Sequence, residues 1–124
     1  MTSRIFLVLS ALLWLPYGIY CFFVPGSLAD AAGVIATTPT GTTELRAMYG
    51  GLQAAIGLFA LAGAVRGSLT RPALLAVFAL TAGLGSTRLL GLMLDRGFTS
   101  YTGMGLFFEW TSALVSRWLL RRSA

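Results

Sequence analysis

The sequence has no histidine and no lysine, a single cysteine and only four acidic residues. Without histidine there is no imidazole for a zinc site, for axial haem or chlorophyll ligation, or for a catalytic triad. One cysteine, Cys21, excludes an intrachain disulfide framework. The acids Asp30, Glu44, Asp95 and Glu109 are scattered along the chain, so no metal site is expected and no cofactor is implied. Charge of either sign is scarce: 10% of the 124 residues are charged, where a soluble domain carries about 25%. An ordinary water-soluble domain is ruled out.

What is present is apolar chain, 56% of all residues. A bilayer core asks for about 20 apolar helical residues, at about 1.5 Å of rise each. Residues 5–24 supply one such run, ended by Pro25, and 45–65 a second, with Arg46 near its start. Residues 73–94 form a third, interrupted by Arg88, and 104–120 a shorter fourth that carries Glu109 and Arg117. The alternation of apolar and polar residues that marks a membrane-spanning barrel strand is not seen. The expected fold is therefore all-α: one domain over residues 1–124, an integral membrane four-helix bundle.

All nine basic residues are arginines, and their placement orients the chain. Arg4, Arg66, Arg71, Arg117, Arg121 and Arg122 fall on one side of a four-span path. The other side holds three acids, Asp30, Glu44 and Asp95, against Arg46 and Arg96. Both termini are thus expected in the cytoplasm. The basic balance is a topology signal, and no nucleic-acid partner is expected. Cleavage of residues 1–31 as a signal peptide is an alternative, argued by Arg4 and by Ala29-Asp30-Ala31. Against it, the apolar run exceeds the usual signal core of about 7–15 residues.

The connections differ in kind. Arg66 to Pro72 reads as a tight turn with Pro72 opening the third helix, and Asp95 to Gly103 as a short turn on the other side. Between the first two spans, Ser27 is expected to cap a brief interfacial helix through Ile35, with Leu28, Ala31, Ala32 and Ile35 on one face. Thr37-Thr38-Pro39-Thr40-Gly41 is expected to break it. Thr43 then caps the second span, with Glu44 in its first turn.

Charges inside a membrane need a reason, since an arginine at its centre costs about 2.5–3.5 kcal/mol on insertion scales. Arg88 lies roughly 9 Å below the outer boundary and Glu109 roughly 8 Å below it, so an interhelical pair satisfies both. Arg46, Gly50, Gln53 and Gly57 share one helical face with Tyr49 beside it, and Tyr17 and Tyr20 reach a similar depth. Ser112 and Ser116 continue the inner stripe below Glu109, while the cytoplasmic half is nearly all Leu, Ala, Val and Phe. Arg46, Tyr49, Gln53, Arg88 and Glu109 are the candidate ligand-binding set. Read more simply, the ion pair is a clasp, the aromatics form an interfacial belt, and Gly50, Gly51, Ala54 and Gly57 serve close helix packing.

Catalytic signatures are poor. Gly83-Leu84-Gly85 lies inside a hydrophobic span with no strand before it, so it is no phosphate loop. Proton chemistry by Glu109 and Arg88 is conceivable, but nothing positions a nucleophile or redox centre.

The stretch Glu44-Leu45-Arg46-Ala47-Met48-Tyr49-Gly50-Gly51-Leu52-Gln53 resembles a bacterial membrane family known as domain of unknown function 4345. The resemblance extends to Pro25, to Arg88 with Gly91 and Asp95, and to Glu109. It implies a compact four-helix membrane protein and no assigned activity. The leading expectation is non-catalytic binding or passage of a small amphipathic or anionic ligand, with Arg46 and Arg88 meeting the anion. The alternative is an accessory subunit that packs against another membrane protein, or against a second copy. A membrane enzyme acting on a lipid is a third possibility.

Overall fold

The computed structural model describes residues 1–122 of the chain. Those residues are helical almost throughout and contain no strand. The elements are α1 (Thr2–Phe23), a short α2 (Ser27–Ala32), α3 (Pro39–Val65), α4 (Gly67–Asp95) and α5 (Ser100–Arg122). Three of them, α1, α3 and α4, are long and apolar enough to cross a membrane. The fourth long helix, α5, has 23 residues and includes Glu109, Arg117, Arg121 and Arg122.

The apolar residues face outward. Only 33% of the most apolar stretch of α1 is buried, and 28% in α3 and α4. Leu12, Leu58, Leu75 and Leu114 are each more than half exposed. A water-soluble monomer rarely shows so continuous an apolar exterior, so this is the surface of a membrane protein.

Glycines set the distance between α1 and α3. A methyl group on Gly50 would lie 2.8 Å from the Phe22 Cβ, and one on Gly57 would lie 2.6 Å from the Leu15 nitrogen. Gly18 meets the backbone of Ala54 in the same way. The small residues of this seam therefore bring backbones together, as membrane helices do where apolar burial gives no drive. Farther along, Leu7, Ala60, Ala73, Leu74, Val77 and Leu119 form the apolar core. Helix α5 packs along α4 and meets α1 through Trp14 and Phe108, whose ring centres are 5.7 Å apart.

Several expected boundaries move. The second long helix begins at Pro39, six residues before the expected start, because Thr37–Gly41 is a cap rather than a break. Thr38 is extended (φ −137°, ψ 159°), its Oγ1 accepts the Gly41 N–H at 3.0 Å, and Pro39 takes the first helical position. Thr43 accordingly caps nothing; its hydroxyl donates to the Pro39 carbonyl at 3.1 Å, and Glu44 lies beyond the first turn. Ser27 does not cap α2 either, since its hydroxyl donates back to the Val24 carbonyl at 2.7 Å. That helix stops at Ala32, where Gly33 turns left-handed (φ +69°) and its N–H meets the Ala29 carbonyl. Leu28 is its buried anchor, while Ile35 lies past the end and is exposed.

The α3–α4 turn is tighter than expected, with extended Arg66 alone between the helices. Thr70 Oγ1 donates to the Gly63 carbonyl at 2.7 Å across this corner. Pro72 consequently sits inside α4 rather than opening it. At the other end α5 begins at Ser100, with the Thr102 N–H bonded to Thr99 Oγ1 at 3.2 Å, earlier than the expected residue 104. Ser112 and Ser116 are buried, as their inner stripe requires, and Ser10 and Thr81 are buried as well. Ser10 and Thr81 donate to carbonyls of their own helices, at 2.9 and 2.7 Å.

Candidate functional site

Arg88 of α4 and Glu109 of α5 form a two-pronged ion pair. Nη2 meets Oε1 at 2.7 Å, and Nε lies 3.0 Å from Oε2 and 3.2 Å from Oε1. Glu109 is only 3% exposed, so an isolated carboxylate there would be very costly and the fork geometry offsets that cost. Two glycines make the geometry possible. Gly105, one turn before Glu109, leaves room for the guanidinium, since a Cβ there would lie 2.9 Å from Arg88 Nε. Gly85, close to one turn before Arg88, receives the Trp110 indole.

The pair leads outward to aromatic groups. The Arg88 guanidinium lies 5.9 Å from the centre of the Tyr101 ring. The Tyr101 hydroxyl is 3.2 Å from that of Tyr17 on α1. These two phenols line a cavity of about 390 Å³, shared with Tyr20 and Cys21 of α1 and with Ser27, Leu28, Asp30 and Ala31 of α2. Helix α2 thus acts as a wall at the end of the molecule where α1 stops and α5 starts. A second, almost wholly apolar cavity of about 280 Å³ lies between α1 and α5, lined by Phe6, Leu13, Phe107 and Val115 among others. Nearby, Trp14 Nε1 and Ser116 Oγ are buried without a hydrogen-bond partner among the described residues.

The five residues expected at the site are not all brought together. Arg88 and Glu109 are joined directly, whereas Tyr49 is half-buried on α3 and lines neither cavity. Arg46 is exposed, with its guanidinium 5.7 Å from the centre of the Phe22 ring. Gln53 is half-buried, in the helix that carries the glycine seam. Neither Arg46 nor Gln53 lines either of the two cavities. Tyr101 was not among the expected residues. Its spacing from Gly105 and Glu109, four residues each, places all three on one face once α5 is known to start at Ser100.

A π-helical turn, Arg46–Gly51, lies within α3. The Leu52 N–H reaches back five residues to the Ala47 carbonyl. Such turns insert one residue into a helix and are frequent at functional sites. This one changes the register at which Arg46 and Tyr49 leave the helix, which a regular 3.6-residue period does not anticipate.

A model of the family described as "Domain of unknown function (DUF4345)" matches residues 2–120. No curated protein and no solved structure matches the chain.

Proposed function

The chain belongs to the DUF4345 family, and from this membership and the site geometry we propose a four-span protein of the bacterial inner membrane, both termini cytoplasmic, that binds or passes a small amphipathic molecule without catalysis. Arginine placement supports the orientation: Arg4, Arg66, Arg71, Arg117, Arg121 and Arg122 cluster at the end opposite the cavity. The fourth span is supported by the ion pair. With Glu109 neutralised by Arg88, the interior charge that lowers the hydropathy of α5 is no longer an isolated one.

The observation that carries the functional reading is the cavity under α2, with phenolic walls and a hydrogen-bonded Tyr17–Tyr101 link to α5. Apolar surroundings with a few convergent polar groups are the usual make-up of a small-molecule site. In this reading Arg88 and Glu109 fix the wall that Tyr101 forms. Arg46 and Gln53 belong to the helix that packs on α1.

Native mass spectrometry from mild detergent, with lipid extraction of the same sample, tests the proposal. A retained small molecule is the expected result, and a bare chain contradicts it. The accessory-subunit reading draws on the apolar cavity between α1 and α5, which one or two apolar side chains of a partner would fill. A second chain in fixed stoichiometry would favour that reading instead.

A further inference from the structure

We propose that the cavity under α2 is a site for a cationic ammonium group, held by the rings of Tyr17, Tyr20 and Tyr101 and by the carboxylate of Asp30. This rests on the ligand-binding reading of the same cavity and names the chemistry of what enters it.

Charge is the first argument. Asp30 is the one carboxylic side chain on walls that hold no arginine, and among the described residues it has no ion-pair partner. No arginine lines the cavity; Arg88, beside the Tyr101 ring, is already matched by Glu109, and Arg46 lies against Phe22. An entering anion meets an unpaired carboxylate and no free cation on the walls. An entering cation meets the opposite situation.

The aromatic walls are the second argument. Ring faces are electrically negative and attract a cation that has shed its water. The Tyr101 ring already does so on its other neighbour, Arg88, and the hydroxyl contact to Tyr17 ties two of the three rings together. A quaternary ammonium needs no hydrogen-bond partners, which suits walls of ring and alkyl surface. The volume, about 390 Å³, accommodates such a group and a short portion of chain. A choline-type lipid head and a free ammonium ion share this chemistry.

The test is calorimetric titration of the protein in maltoside micelles, with empty-micelle heats subtracted. The probes are octyltrimethylammonium, tetramethylammonium, octanoate and octan-1-ol. At least one ammonium probe is expected to saturate at one per chain, with octanoate about tenfold weaker or more. Equal affinity for both ammonium probes identifies a free cation as the ligand type, and preference for the octyl form identifies an amphiphile. Asp30→Asn and Tyr20→Leu, both at exposed positions, should each weaken ammonium binding about two- to fivefold. Ammonium binding unchanged in both variants overturns the assignment. Octanoate or octan-1-ol binding as tightly as the ammonium probes overturns it too, yet leaves the cavity as a ligand site. Saturation by none of the probes, in protein that extraction shows to be bare, overturns both.

Discussion

Tyr17 and Tyr101 meet hydroxyl to hydroxyl at 3.2 Å across 84 residues of sequence. That contact joins the last turns of α1 to the first turn of α5, at the end where the ion pair and the α2 cavity also lie. Interhelical hydrogen bonds in membranes average about 0.6 kcal/mol. Tyr17→Phe and Tyr101→Phe should each cost about that much, and the double variant should cost little more than either single one. Thermal unfolding in detergent, treated as a double-mutant cycle, checks this coupling.

Breaking the ion pair is expected to cost far more. Arg88→Ala leaves Glu109 buried and unmatched, a loss of about 3–5 kcal/mol in proteins generally. Arg88→Met combined with Glu109→Leu removes both charges and should recover most of that loss. The midpoints of unfolding of the two proteins, compared with wild type, decide the point. Equal destabilisation by the single and double changes would deny the pair its role as a clasp.

Glycines divide into those that packing requires and those it does not. Gly57→Ala drives a methyl group against the Leu15 backbone and should destabilise by about 1–3 kcal/mol. Gly83→Ala points into open space and should be neutral or stabilising by up to about 1 kcal/mol. Stability measured on both variants separates a helix seam from a general intolerance of side chains.

The sequence makes parts of this design plain and hides others for physical reasons. Apolar runs locate the long helices because a lipid-facing helix must be apolar over its length. Arg88 and Glu109 can be paired from depth alone, since helical rise is fixed and each charge needs a partner. The start of α3 is ambiguous in the sequence. Pro39 is a common first residue of a helix and equally a common breaker, and only the extended backbone of Thr38 decides between the two. The late start assigned to α5 concealed Tyr101. Arg46, Gly50 and Gly57 do share a face, but that face is turned to Phe22 and Leu15 of α1, and neither Arg46 nor Gln53 lines the cavity.

The proposed topology, drawn from arginine placement, is open to direct labelling. In a Cys21→Ala background, Asp30→Cys should react in intact cells with a membrane-impermeant maleimide. Ser68→Cys should react only after the cells are opened. Both native residues are exposed, so labelling reports side of the membrane rather than burial. The reverse pattern would invert the orientation.

The most direct measurement of the central claim is a pair of native mass spectra, wild type and Ala31→Leu, from the same mild detergent. Ala31 is exposed and lines the cavity, so the larger side chain occupies ligand space without disturbing the core. The account predicts a small molecule retained by wild type and lost from Ala31→Leu, at equal helicity by circular dichroism. A molecule held equally by both proteins, or by neither, would contradict it.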